Sequence, residues 1–421
     1  MAKRTLVGTL LLASLVAGGC DLDLNDPNFP TEEVVFGDAN NLLAIAVGVQ
    51  AEMAAQMGAF IFSTSLASDE VGAGLNTFPN FQVADVGGEL EEGQFLNEQP
   101  WGGAYRVIKL SDDLLTAVPD ASLRAGTRSG LLAMAKLFKA MSFGQLATLY
   151  PSAPIDAGID NPDAAFSERS ALLQEAVALL ESARSDIMAE PLSEEFVEDV
   201  QAPGFDTEVT INALLARYNL MAGNYAVAAT EAQLVPEAAA SEFRFSATDR
   251  NSVYDIMYNS GNPYQVRARQ LLRDEAEEGD ARVGYWVIAD TITGANFELD
   301  HLNQYRTAET PLPVYLPDEM TLIRAEAAAR QNDLATAITH INEVRTQCDV
   351  TTEPAACLES IDAGDLPTQD DVLQEILRQR RYELYLQGLR FEDLRRFDAP
   401  RKYDALPIPL SECTRNANAT C

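Results

Sequence analysis

Near its C-terminus the chain reads RQRRYELYLQGLRFEDLRRF, residues 378–397, with six arginines in one short stretch. Guanidinium groups at that density either hold an anion or pair with carboxylates and lock elements together. Arg380, Arg381, Glu383, Arg390, Asp393 and Arg395 recur at helical spacings that bring opposite charges together. Leu384, Leu386, Leu389 and Leu394 supply an apolar side, and Gly388 suits a helix end. This spacing predicts a structural ion-pair network in preference to an anion site.

Other reactive groups are sparse. Two histidines, His301 and His340, leave little room for a histidine-dependent nucleophilic mechanism. The chain has no glycine-rich phosphate loop, no serine elbow and no His-Glu-x-x-His helix. A hydrolase built on two of the 64 Asp and Glu residues stays open, without positive support. No catalytic residue, metal or cofactor is predicted. A formal net charge of -34 repels phosphate backbones, so nucleic acid is excluded as a partner.

The N-terminus carries an address. Lys3 and Arg4 precede a short apolar run, Leu6 to Val16, and a small-residue exit, Ala17-Gly18-Gly19-Cys20. Residues 1–19 read as a signal peptide, too short to span a bilayer. The exit resembles a bacterial lipobox, with Ala17 where leucine is usual. That resemblance implies lipidation of Cys20; the alternative is ordinary secretion with Cys20 unmodified. No later segment reads as apolar enough to cross a membrane. Residues 20–35 form an acidic tether. Asp21, Asp23, Asn25 and Glu32 fall at calcium-loop positions, but Asp26 stands where the loop needs glycine and Pro27 follows it. The match reads as chance. The remaining cysteines form two close pairs, predicting disulfides Cys348–Cys357 and Cys413–Cys421 in an oxidising compartment.

The elements that must position everything else are helices. Apolar residues recur at three- and four-residue intervals over 130–150 and 170–188. Strand patterns are confined to short stretches near Tyr285–Ile288 and Val314–Leu316. An internal repeat aligns 211–235 with 320–344 without gaps: Ala216 meets Ala325, Gly223 meets Asn332, Tyr225 meets Leu334 and Ala228 meets Ala337. Each unit is a helix, a turn and a second helix, the tetratricopeptide logic of stacked pairs. Further pairs are expected near 131–188 and 371–397. Two stretches rich in Gly, Asn, Pro and aromatics, 58–104 and 236–318, read as loop insertions on this scaffold.

In order along the chain, these pieces resemble the RagB/SusD family of bacterial surface lipoproteins. LDLNDPN after Cys20, WGGAYRVIKLSDDLL (101–115) and AMAKLFKAMSFGQLATLYPSAPI (133–155) are similar to its N-terminal segment and early helices. Arg324-Ala325-Glu326-Ala327 with Asn342-Glu343-Val344-Arg345, the arginine-rich stretch and LPIPLSE (406–412) are similar to its later motifs. Pro151-Ser152 departs from an expected glycine, and Gln379 and Gln387 stand where the family pattern has glutamates.

The resemblance implies an all-α fold: a right-handed superhelix of tetratricopeptide-like pairs with irregular loop insertions, in one domain over 36–421. It implies a non-catalytic lipoprotein on the outer membrane, facing the cell exterior, that captures oligosaccharides or peptides for a SusC-like TonB-dependent transporter. Sugar rings stack their C–H faces on aromatic rings while amides bond the hydroxyls. Loop context then offers Tyr258, Asn262, Tyr264 and Trp286, with Asn76, Phe78 and Phe81, as ligand-binding candidates, each weighed against a packing role. Trp101, at a helix start, reads as packing. The competing reading is an envelope tetratricopeptide-type assembly protein that binds only a protein partner.

Overall fold

The computed structural model describes residues 38–158, 160–259, 266–349 and 354–421. The signal peptide, Cys20, the tether and the calcium-loop positions lie outside the described residues, as do Asn262 and Tyr264.

The described chain is mostly helical. Helix α1 (Ala39–Ala67) starts where Asp38 accepts a hydrogen bond from the Asn40 N–H at 2.8 Å. It packs against α2 (Phe95–Ala117) and α3 (Ala125–Leu149), and α3 packs against α4 (Arg169–Ala189). By length and composition α1 is apolar enough to cross a membrane, contrary to the reading that no segment after the leader is. Met53, Met57, Phe60, Ile61, Phe62 and Leu66 are nevertheless buried, so its apolar character serves the interior. Trp101 on α2 is buried against Tyr105, Tyr150 and Phe166, as a packing role requires.

The internal repeat is present as two helix pairs: α5 (Thr207–Met221) with α6 (Tyr225–Gln233), and α7 (Pro317–Arg330) with α8 (Leu334–Arg345). The aligned turn residues Gly223 and Asn332 both take left-handed backbone, at φ 81° and 62°. Asn tolerates that region better than most side chains, which explains why it can replace glycine there. The pairs stack through α6 on α7, and Arg217 on α5 forms a two-pronged ion pair with Glu319 at 2.6 Å. A small second core of Ala325, Ala329, Ala337, Ile341, Val372 and Ile376 seats α9 (Gln369–Glu383) on this pair.

Both disulfides, Cys348–Cys357 and Cys413–Cys421, are formed. The arginine-rich stretch is two helices: α9 ends at Glu383, and α10 (Arg390–Arg396) follows a turn. Gly388 lies in that turn at φ 76°, and a Cβ there would sit 2.5 Å from the Phe60 ring. Glycine is therefore required by backbone and by space.

The insertions are less irregular than expected. Residues 58–67 complete α1 and 95–104 begin α2, so the irregular part of the first insertion shrinks to 68–94. Its core is a short strand, β1 (Val71–Ala73), which pairs with β2 (Val266–Arg269) from the second insertion. A hairpin of β3 (Val287–Thr293) and β4 (Glu298–Leu302) completes an antiparallel sheet of order β1-β2-β4-β3. Tyr285 belongs to a short helix, Arg282–Trp286, that precedes β3, and Leu316 caps α7 after the strand Leu312–Tyr315.

Candidate functional site

The four-stranded sheet joins the two insertions that carry the binding candidates. One face, with Val71, Ala73, Val266, Ala268 and Leu302, is buried in the main core. On the other, the registers Gly72↔Arg267 and Ile288↔His301, with Ala268↔Asp300 between β2 and β4, align Gly72, Arg267, His301 and Ile288 in one cross-strand row. Arg269 lies two residues along β2 on this same face. Its guanidinium sits under the Phe297 ring, 4.0 Å from the centroid, and donates to Asp85 Oδ1 at 2.6 Å.

Asp85 is the anchor of the adjoining short helix, Pro79–Asp85. Its Oδ2 accepts from the Ala73 N–H at 3.1 Å, and its main-chain carbonyl accepts from Arg269 and from Lys402 Nζ. Lys402 also donates to the Leu66 carbonyl at 2.5 Å, so one amine bridges the C-terminal ends of this helix and α1. Burial, reinforced by Arg269, lowers the Lys402 amine to about 7. The hairpin tip closes onto the same helix, with Asn296 Nδ2 donating to the Gln82 carbonyl at 3.0 Å. The loop Gly74–Phe78 is thereby fixed on a rigid base. Phe78 remains 43% exposed, Phe297 38% and Leu75 61%, and Asn76 is exposed beside them in the chain. Rigid exposed aromatics next to an amide offer a stacking surface with a hydrogen-bonding group at low entropic cost.

The other described candidates do not reach solvent in this way. Trp286 is only 2% exposed; its indole N–H donates to the Tyr382 carbonyl at 2.7 Å and its rings pack on Tyr285 and Tyr385. Phe81 is buried edge-on to Phe62 and Phe95. Tyr258 is half-buried and spends its hydroxyl on the Leu302 carbonyl at 2.7 Å. For Trp286 and Phe81 the expectation is corrected: Trp286 packs its helix on Tyr385 and the end of α9, and Phe81 packs the helix Pro79–Asp85 on α1 and α2. Sequence reasoning missed Phe297, Arg267 and His301. A Gly294-Ala295 turn between two alternating runs was the available signal for the hairpin.

The arginines of α9 and α10 are all paired. Arg380 meets Asp393 at 2.9 Å, and Arg396 meets Asp393 at 2.8 Å and Glu326 through both oxygens. Arg390 grips Asp69 with two bonds of 2.7 and 2.8 Å. Arg381 reaches Glu275, Arg395 reaches Glu392, and Arg378 lies 3.8 Å from Glu375. Burial acts to raise Asp69, but Arg390 and Arg381 bring it well below the usual carboxylate range. The neighbouring Glu70 has no such clamp: it accepts from Ser65 Oγ and the Leu386 N–H at 2.8 Å, and burial lifts it to about 7. Gln387, one of the two departures from glutamate, donates to the Tyr305 hydroxyl; Gln379 donates to Glu375. Neither amide leaves the network with an added charge to neutralise.

A cleft of about 660 Å³ opens elsewhere, between α6, α7 and α8. Asp318, Thr321, Arg324 and Glu343 line it, so it is polar and of mixed charge. Among the described residues no group of three or more His, Cys, Asp or Glu side chains is arranged to hold a metal ion.

Residues 263–418 match the model of the SusD family. Among curated proteins no match was found. Solved structures similar to the chain include a SusD superfamily protein from Bacteroides fragilis, 18% identical, with a TM-score of 0.73 over 91% of this chain and 99% of that one. A SusD-like carbohydrate binding protein from Bacteroides vulgatus is 18% identical, with a TM-score of 0.68 over 86% and 84%. A SusD superfamily protein from Bacteroides thetaiotaomicron is 16% identical, with a TM-score of 0.70 over 90% and 98%. These likenesses establish the fold over nearly the whole length of both partners.

Proposed function

We propose that this chain, a SusD-family protein by its matched segment and its fold, is a non-catalytic capture protein for oligosaccharides. The carrying observation is a pair of exposed aromatics beside the sheet, Phe78 at the start of the helix Pro79–Asp85 and Phe297 at the hairpin tip, on a base tied down through Asp85. A catalytic site needs positioned acids, bases or nucleophiles, whereas a capture site needs only a shaped, rigid surface of stacking rings and amides. The similarity to a solved SusD-like carbohydrate binding protein supports the glycan reading. In this reading Cys20 carries lipid, residues 20–35 tether one folded unit over 36–421 to the outer membrane, and captured ligand passes to a SusC-like TonB-dependent transporter. The competing partner-only role wants an apolar groove on the repeat helices, and the repeat cleft is instead lined by charge.

The test is thermal unfolding of the chain from Asp21 against panels of oligosaccharides and peptides. A ligand at a hundred times its dissociation constant adds about 2.7 kcal/mol to stability. A shift with one glycan class, lost in Phe78→Ala or Phe297→Ala, establishes capture and its place. Silence across the glycan panel, with the protein folded, sinks the reading in favour of a protein-only partner. For the anchor, Cys20→Ser is expected to move the protein from the membrane to the soluble fraction; unchanged membrane retention removes lipidation from the account.

A further inference from the structure

We propose that the outer sheet face selects acidic oligosaccharides, those carrying carboxylate groups, and that Arg267 and Arg306 read the acid. This inference rests on the glycan-capture reading and narrows it to a ligand class.

The chain has 64 acidic residues against 30 lysines and arginines, and most described arginines pair with a carboxylate; Arg124 and Arg128 at the start of α3 and Arg415 near the C-terminus do not. All six arginines of α9 and α10 are paired. Arg267 and Arg306 form no ion pair among the described residues. Arg267 is half-buried in the middle of the sheet row, and its Nη1 lies 3.0 Å from Nε2 of His301. Arg306 is exposed, just past the end of β4, and its charge acts on the same imidazole.

The other charges around the row are few. Burial first, and then Arg267 and Arg306, hold the His301 ring below its ordinary pKa, so at neutral pH it is an uncharged acceptor that steadies Arg267. Asp290 lies 3.4 Å from that ring but is mostly exposed. Asp300 is buried, and is satisfied by Arg273 at 2.9 Å and by the Thr291 hydroxyl. Around His301 the row thus sets Arg267 and Arg306 against one mostly exposed carboxylate, Asp290, with Glu298 and Glu309 exposed further off in the chain. A guanidinium fork matches a carboxylate in shape as well as charge. Ile288, exposed opposite His301 in the row, and Phe297, exposed at the hairpin tip over Arg269, offer apolar surface. A uronic acid presents an apolar ring face and a carboxylate together, which is the pairing this surface complements. A net charge of -34 disfavours acidic ligands over most of the surface, so an arginine without a carboxylate partner adds selectivity where it stands.

The experiment measures, by calorimetry, binding of the chain from Asp21 to oligosaccharide fragments of polygalacturonate and alginate. Each is compared with its methyl ester, which keeps the ring and removes the charge. The acid forms are expected to bind at least tenfold more tightly at low salt, with the advantage shrinking as salt rises. Arg267→Gln should collapse the acid-to-ester ratio towards one, and Arg306→Gln should reduce it, with little change in melting temperature for either. Neutral oligosaccharides binding with no preference for acid overturn the inference and leave the capture reading standing. Tighter binding of sulfated glycans or of poly-glutamate peptides than of uronates also overturns it. No binding by any glycan removes both readings together.

Discussion

Two sets of arginines divide this molecule. Those of α9 and α10 are largely buried, matched with carboxylates from α1's end, α7 and their own helices, and tie the C-terminus to the repeat and to the N-terminal core. Arg267 on the sheet and Arg306 just past its last strand have no matching carboxylate among the described residues. The residue type is the same, yet one set makes the fold and the other leaves charge available. What separates them is the presence of a partner at bonding distance. Local density is a poor guide, since the crowded arginines are the neutralised ones.

The comparison breaks most readily at Asp393, which two buried arginines share. Asp393→Ala strands Arg380 and leaves Arg396 with Glu326 alone; the expected cost is about 3–5 kcal/mol, read from the urea midpoint. A loss below about 1 kcal/mol would show that the network is ornamental to stability.

Glu70 gives a pH-dependent probe of the same region. Its carboxyl titrates near 4.5 when unfolded and is raised to about 7 in the folded protein. The folded state therefore holds the proton more tightly, and this contribution is complete below about 4.5 and lost as pH rises through about 7. Lys402 acts in the opposite sense and later: its amine, lowered to about 7, makes stability recover as pH climbs from there towards 10.5. Glu70→Gln is expected to flatten the decline in melting temperature between pH 4.5 and 7 while leaving the alkaline recovery intact. An unchanged profile places the Glu70 proton outside the stability balance.

The smallest stability effect belongs to Arg267→Gln. Without an ion pair to lose, it is expected to shift unfolding by less than about 1 kcal/mol while altering ligand preference. A loss as large as that of Asp393→Ala would mean that both arginine sets serve the fold, and the distinction would disappear.

The sequence revealed much of the scaffold because its signals are local. The turns at Gly223 and Asn332, the apolar spacing of α3 and α4, and the close cysteine pairs each act over a few residues. The arginine network was readable for the same reason, since Asp393 lies on the stretch itself. Its partners Asp69 and Glu326 were not, being far away in the chain. The sheet was hidden: β1 has three residues, and its partner strand lies far along the chain, 198 residues from Val71 to Arg269. Trp286 and Phe81 were placed among the binding candidates because their surroundings looked like loops, but those surroundings have a core of their own. Phe78 and Phe81, three residues apart on one turn, face opposite environments, and composition alone cannot tell them apart.

The sheet has a temporal consequence as well. Val71 and Arg269 meet although 198 residues separate them, and the row on the outer face is incomplete until β4 joins. Such distant pairings form slowly, after local helices. The surface proposed to meet ligand is therefore expected to assemble late, from both halves of the chain, and its appearance to mark a molecule that has finished folding.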